Sequence, residues 1–313
     1  MTLTIGIDIG GTKIAAGVVD ESGKILKYEK TVSPSRDRTA IRNTIFELCK
    51  PLLQSFDVSA IGISAAGFLS KDRKQILFSP NLDMTGFHIG EEIASLTSKP
   101  VVLENDANSA AWGEFQFGAG REFKNLVMLT IGTGLGSGIV IENRLVVGGY
   151  GMAAEAGHSV LVPDGEDCGC GLKGCFEQYA SGSALTRNAR KLAIANPDAG
   201  RALIEYCGGN VELITGERVT ELAQRGDEIA IALLTEIGTR LGQGLAGIAA
   251  VLDPEIFVIG GGGSGAGELI LQPARRSFLK HLTAAKYRPI APILQAQLGN
   301  AAGIVGVADL ARL

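Results

Sequence analysis

The sequence predicts an α/β fold of two lobes with a cleft between them. Three observations carry that reading. Apolar strand-like runs alternate with helix-like periods, two glycine-entered hairpins resemble each other across the chain, and 313 residues exceed what one core usually fills. In chain order, the strand-like runs are Leu3–Ile9, Ala60–Ser64, Val101–Glu104, Leu126–Ile131 and Ile256–Ile259. Helical periods fall at roughly 38–55, 89–97, 107–117, 176–194, 227–251, 267–282 and 301–312. Strands separated by helices imply a largely parallel sheet. Two stretches break the alternation as strand–turn–strand units: DIGGTKIAAGVVDESGKIL from Asp8 and TIGTGLGSGIVIENRLV from Thr130. Ile9-Gly10 aligns with Ile131-Gly132, so the unit reappears 122 positions later and points to duplication. Chance likeness of two glycine-rich hairpins is the plainer alternative. No Pro/Ser-rich linker separates the halves. The expected lobes are therefore 1–115 with 300–313, and 116–299, with a first crossing near Gly113–Ala119 and the last helix returning to the first lobe.

Composition narrows the function. With 46% hydrophobic and 20% charged residues and a net charge of −4, the chain can bury a large core and has no general attraction to nucleic acid or anionic lipid. Asp8 interrupts the first apolar run and no basic segment precedes it, which does not read as a secretory signal. No apolar run is long enough for a membrane span. Five cysteines, with Cys49 and Cys207 far from the other three, fit a reducing cytoplasm rather than a disulfide framework.

Glycine turns after strands let backbone N–H groups converge on an anion. No G-x-x-x-x-G-K-[ST] string exists, so a P-loop is excluded. The turn Gly260–Gly265 matches G-x-G-x-x-G, yet no acidic residue lies between Glu268 and Asp309 to hold a ribose, which argues against NAD. The other two turns enter hairpins and suit a polyphosphate tail. Gly10, Gly11, Thr12 and Lys13 supply N–H donors, a hydroxyl and an ammonium, and Gly132, Thr133 and Gly134 match them from the second half. Asp8, at its strand's end, is placed to hold Mg²⁺ through water. Ordinary tight turns are the alternative.

In VVLENDANSAAWGE a strand passes directly into a helix. Asp106 stands at the expected N-cap; it can cap the helix, or accept a hydroxyl proton during attack on a γ-phosphoryl group. Asn105 beside it offers a donor and an acceptor. In HSVLVPDGEDCGCGLKGCFEQ and just before it, Glu177 lies two residues after Cys175 and Glu155 three before His158, as polyol contacts or as solvated surface. That loop spaces His158, Cys168, Cys170 and Cys175 as H-x9-C-x-C-x4-C, a Cys₃His set suited to structural Zn²⁺. Free thiols or a redox pair are the alternatives, although C-x-C is not the usual redox spacing.

The strings DIGGTK, ENDANSAAWGE, TIGTGLGSG, EAGHSVLVPDGEDCGCGLKGCFEQYASG and FVIGGG, in this order, resemble the ROK sugar kinases (repressor, open reading frame, kinase), most closely their bacterial glucokinase branch. The likeness runs over essentially the whole chain. It implies an actin- and hexokinase-like (ribonuclease H-like) fold closing over sugar and ATP. It further implies Asp106 as general base on the sugar 6-hydroxyl, with Asn105, Glu155, His158 and Glu177 as sugar contacts, joined by Gly67 and Asn81. Gly11 to Lys13 and Gly132 to Gly134 become phosphate turns, Gly261 and Gly262 flank the adenosine, and zinc sits on the four ligands named above. The cofactors implied are ATP, Mg²⁺ and structural Zn²⁺, and the assembly a homo-oligomer, dimer or tetramer. The first strand starts at Leu3, leaving no room for the helix-turn-helix of ROK repressors. Met84 stands where related glucokinases often carry an aromatic, and Gly263-Ser264-Gly265 makes the adenosine-side turn unusually glycine-rich. The same scaffold fits N-acetylmannosamine, N-acetylglucosamine or fructose phosphorylation, or a non-catalytic sugar sensor.

Overall fold

The computed structural model describes residues 2–79 and 82–313, so the expected sugar contact Asn81 lies outside the described residues. The chain forms two compact units. The first comprises Met1–Met128, Gly138–Ala154 and Gln297–Leu313; the second comprises Leu129–Ser137 and Glu155–Ala296. No helix among the described residues is long and apolar enough to cross a membrane.

The first unit opens with β1 (Leu3–Ile9), β2 (Lys13–Val19) and β3 (Ile25–Val32), followed by α1 (Arg38–Ser55) and β4 (Val58–Ala65). The short strands β5 (Phe68–Leu69) and β6 (Ile76–Phe78) precede α2 (Ile89–Thr97), β7 (Val101–Asn105) and α3 (Asp106–Phe117). The sheet order is β3-β2-β1-β4-β7, with an antiparallel β1–β2 hairpin and with β4 parallel to both β1 and β7. Alternation along the strands builds two cores. Ile5, Ile7, Ile9, Ile14 and Val18 face Ile41, Ile45 and Ile93 of the flanking helices. Ala15 and Val19 face the other way, onto the chain's last helix. Met84 is fully buried in the first of these cores, so its departure from an aromatic is a packing matter.

The second sheet follows the order β10-β9-β8-β11-β12. Its strands are β8 (Leu126–Ile131), β9 (Leu135–Ile141), β10 (Arg144–Leu145), β11 (Ile256–Gly260) and β12 (Ile293–Gln295). The hairpin β8–β9 takes the place in this order that β1–β2 takes in the first, as duplication predicts. Each turn is closed by its glycine N–H, with a one-residue difference in length: Gly10 donates to Lys13 O at 2.9 Å and Gly132 to Gly134 O at 3.0 Å. The helices are α4 (Glu177–Ala180), α5 (Gly182–Ala195), α6 (Arg201–Tyr206), α7 (Gly216–Gln224), α8 (Glu228–Leu252), α9 (Glu268–His281) and α10 (Ala302–Leu310). The single helix expected at 176–194 is broken at Ser181, which is extended and caps α5 through its hydroxyl. Helices α6 and α7 were not anticipated: the six residues of α6 are too few to display a 3.6-residue period, whereas α7 is as long as α2, which was.

Helix α10 belongs to the first unit, where it meets β1, β4 and α3 backbone to backbone. A Cβ on Gly6 would lie 2.0 Å from Ile304 O, one on Gly62 2.0 Å from Val307 O, and one on Gly306 1.8 Å from Ser109 O. Thr4 Oγ1 donates to Ala308 O at 2.8 Å and Trp112 Nε1 to Asp309 Oδ2 at 2.9 Å. Buried Glu114 completes the dock, accepting N–H bonds from Gln297 at 3.0 Å, Leu298 at 2.6 Å and Ala119 at 2.9 Å. Backbone atoms cannot yield as a side chain can, so Gly62→Ala is expected to destabilise the protein by about 3 kcal/mol. Denaturant unfolding monitored by circular dichroism checks this, and a wild-type midpoint would refute the close-approach argument.

Candidate active site

Strand β7 runs straight into α3, and the structure divides the labour at that junction differently from the sequence expectation. The N-cap is Asn105, not Asp106: Asn105 Oδ1 accepts from Asn108 N–H at 3.0 Å. The last residue of the strand is itself the cap, so the helix starts directly after the strand and one residue earlier than expected. Asp106 becomes the first helical residue, its Oδ1 accepting from the neighbouring Ala107 N–H at 2.9 Å. Asp106 is crowded by protein yet open to solvent, and that crowding pushes its carboxyl above the usual range, opposed by the Ala107 N–H and the Asn105 side chain. Asn105 Nδ2 donates to Gly67 O at 3.2 Å, so two of the expected sugar contacts are joined directly.

Asp8 lies at the matching end of β1. The register pairs Asp8 with Ser64 and Ser64 with Glu104, which places Asp8 two strand spacings, about 10 Å, from the end of β7. Burial first, then the charge of Asp106, raises the Asp8 carboxyl to about 6, against a hydrogen bond from Ser64 Oγ at 3.2 Å and the Lys13 ammonium. Gly11, Thr12 and Lys13 follow as an exposed turn. An acid carboxylate beside a second carboxylate and below a turn of N–H donors suits a hydrated divalent cation carrying phosphate.

In the second unit, His158, Cys168, Cys170 and Cys175 bring one ligand atom each within 4.8 Å of one another. Cys170 Sγ and Cys175 Sγ are 3.6 Å apart, as are Cys168 Sγ and His158 Nδ1. A tetrahedral Zn²⁺ with Zn–S near 2.3 Å separates its sulfurs by about 3.8 Å, so the donor set fits. Because Nδ1 faces the cysteines, the Nε2 edge of His158 is left for another partner. The loop is braced without metal by bridges pairing Val160 with Cys175 and Asp167 with Lys173. Glu155 sits just ahead of the single helical turn Ala156–His158, and its carbonyl accepts from His158 N–H at 3.0 Å. Glu177 stands between the cluster and the second glycine turn. Its Oε1 is 3.1 Å from Cys168 Sγ, and its Oε2 lies 2.6 Å from where a Cβ on Gly134 would be. A metal-bound thiolate carries no proton, which frees that Glu177 oxygen to accept from a ligand hydroxyl.

A cavity of about 630 Å³ opens beside the same turn. Gly132 and Thr133 line one side, Gly262 and Gly263 another, and Gly216, Glu217 and Thr220 of α7 a third. Gly132 and Gly262 therefore face the cavity as expected, whereas Gly134 and Gly261 are not part of its lining. Gly261, at φ +81°, lets the end of β11 cross β8, since a Cβ there would meet Ile131 O at 2.5 Å. Thr186, Glu217 and Thr220 were missed by sequence reasoning. The one available signal was a polar stretch after Thr215 that caps and starts a helix.

The ROK family model matches residues 4–313. The chain belongs to the ROK family. It is 45% identical over 312 residues to the glucokinase of Streptomyces coelicolor, covering all of this chain and 98% of that one. The N-acetylmannosamine kinase of Yersinia pseudotuberculosis is 31% identical over 310 residues, covering 98% of each. Among solved structures, the ROK family glucokinase of Streptomyces griseus, in complex with glucose and AMPPNP, superimposes with a TM-score of 0.90 at 47% identity, covering 99% of both chains. These ROK likenesses carry the two-lobed actin-like fold to this chain.

Two outcomes follow. Cys170→Ser, or exposure to a chelator, should take bound zinc from about one ion per chain to near none and weaken glucose binding about tenfold. Metal analysis and calorimetry check it. Because the folded Asp8 carboxyl sits above its unfolded value, its ionisation opposes folding by a penalty that is absent below about 4, grows as the pH rises and is complete above about 6. Asp8→Asn should therefore stabilise the ligand-free protein by about 2 kcal/mol at pH 7.5, with the gain vanishing in acid. Thermal melts across that range decide it.

Proposed function

We propose that this ROK protein is a glucokinase, transferring the γ-phosphoryl group of ATP to the 6-hydroxyl of glucose. The observation that carries the reading is the likeness, along the entire chain, to glucokinases, one of them seen with glucose and an ATP analogue. The local geometry supports it. Asn105 takes the capping duty and leaves the Asp106 carboxylate for chemistry, and burial raises that carboxyl toward the range of a general base.

In this reading Asp106 accepts the 6-hydroxyl proton as the oxygen attacks the γ-phosphorus in line. Asn105, Gly67, Glu155, His158 and Glu177 hold the sugar, His158 through its Nε2 edge, and Asn81 joins them. The turns Gly10 to Lys13 and Gly132 to Gly134 cradle the phosphates, Asp8 would hold a hydrated Mg²⁺ that would neutralise their charge, and the cavity bounded by Gly262 and α7 takes the adenosine. Gly261 shapes that turn from behind. The four donors would hold zinc, which would supply no chemistry at the phosphate and would fix the loop carrying His158 and Glu177. Assembly as a dimer or tetramer and a place in the reducing cytoplasm, where ATP and free thiols coexist, extend the same reading.

A second reading, phosphorylation of N-acetylmannosamine, is favoured by the 31% identity to a kinase of that sugar and is separated by the same assay. ADP release is measured from Mg-ATP over glucose, mannose, fructose, N-acetylglucosamine and N-acetylmannosamine. Turnover should be strongest on glucose. Asp106→Asn should lower kcat about 10²–10⁴-fold while glucose binding stays within a few-fold of wild type. Near-normal turnover in that variant would remove Asp106 from the role of base, and silence on every sugar would favour a sensor.

A further inference from the structure

Glu104, immediately before Asn105 and Asp106, is a buried carboxylate to which no function has yet been given. Its Oε1 accepts from Asn105 N–H at 2.8 Å and from Asn108 Nδ2 at 3.1 Å. Arg73 Nη2 lies 3.1 Å from the same oxygen, and both side chains are largely buried. The Arg73 nitrogen is off the line of a hydrogen bond and has no other hydrogen-bond partner, so the contact is held by charge. Arg73 Nη1 reaches the other way, to Gly151 O at 3.3 Å. The backbone around Gly151 presses on the same turn, since a Cβ there would stand 2.9 Å from Lys71 Cα.

The turn between β5 and β6 is built to present this arginine. Arg73 adopts a left-handed φ of 58°, which a residue with a side chain holds only under strain. Ser70 keeps it there: its carbonyl accepts from Arg73 N–H at 2.9 Å, and its hydroxyl from Lys74 N–H at 3.2 Å and Gln75 N–H at 3.1 Å.

We propose that Arg73 is a positioning residue for sugar phosphorylation: set between the Glu104 carboxylate and the Gly151 carbonyl, it fixes the Asn105–Asp106 strand end against the segment that leads to Glu155. The proposal rests on the kinase reading and adds a residue to it. Arg73 touches no reacting atom in this scheme. It acts through Glu104, whose bond to the Asn105 N–H fixes where the cap begins and hence where Asp106 points.

The ion pair provides a signature that ordinary structural damage would not. Burial raises the Glu104 carboxyl, and Arg73 is the charged group that pulls it down, helped by bonds from Asn108 and the Asn105 N–H; its register neighbour on β4 is the neutral Ser64. Arg73→Met should therefore let Glu104 take up a proton at higher pH. In that variant, kcat/KM for glucose at pH 7.5 should fall about 10–100-fold, and the acid limb of the pH profile should move up by about a unit or more. Arg73→Lys keeps the charge but not the fork, and should leave the limb in place with a loss of only a few-fold. Adding Glu104→Gln to Arg73→Met should abolish the shifted limb.

A folded Arg73→Met protein with wild-type kcat/KM, or one that loses activity with an unmoved limb and no rescue by lysine, overturns the proposal. Should Arg73→Met fail to fold, Glu104→Gln carries the test. It retains the acceptor for Asn105 and Asn108 but removes the charge, so a tenfold or greater fall supports the pair and wild-type kinetics overturn it. A wild-type protein inert toward every sugar overturns the kinase reading and this proposal with it. An active wild type beside an unaffected Arg73→Met overturns the proposal alone.

Discussion

The approach of α10 to the first sheet and to α3, backbone against backbone, is the constraint on which the rest of the first unit depends. Glycines at positions 6, 62, 113 and 306 remove the side chains that would otherwise hold these elements a full layer apart. Helix α3 is thereby fixed along its length rather than only at its capped end, and Asp106 is its first residue. A catalytic carboxylate needs placement within about half an ångström, which loops seldom achieve and packed helices do. Glu114 adds to this by gathering three N–H groups from both sides of the dock onto one buried carboxylate. Neutral acceptors could satisfy the same N–H groups, but a charged one makes the bonds stronger and shorter.

The second unit solves a different problem, that of ordering a long irregular loop. Between β10 and α4 the chain has little regular structure of its own, only a single helical turn and isolated bridges. Clustering three thiols and an imidazole gives that loop an anchor worth more than a few more hydrogen bonds could supply. Glu177 ties the anchor to its surroundings, since one oxygen meets Cys168 and the other borders Gly134. The N-terminus of α5 continues the tie, with Gly182 N–H donating to Gly132 O at 2.9 Å. Metal loop, α4, α5 and glycine turn are thus one connected piece of backbone and side chain.

Much of this was legible in the sequence because the informative residues are close together in the chain. The cysteine spacing and the two glycine turns are local patterns whose chemistry depends on neighbours a few positions away, and the structure gathers the four zinc donors as the spacing implied. The cap of α3 was misplaced by one residue, because Asn105 and Asp106 are equally good caps and only the point where β7 gives way to the helix decides between them. Helix α7, which walls the cavity beside Gly132, escaped notice although its nine residues are as many as those of α2. The contacts of Arg73 with Glu104 and Gly151 were out of reach for another reason. They join segments 31 and 78 positions apart, and nothing in a lone arginine within a polar turn announces such partners. Asn81 lies outside the described residues, so its place is left to the sequence alone.

The dock of α10 also imposes an order on how the molecule can be made. Unit two has all of its residues once the chain has been synthesised through Ala296, whereas unit one still lacks the helix that covers one face of its sheet. Until Ala302–Leu310 leaves the ribosome, the glycine-lined faces of β1 and β4 stay bare, although these strands emerge more than 200 residues earlier. These early-made strands thus wait for the latest-made helix, and the unit bearing Asp106 is the last to close.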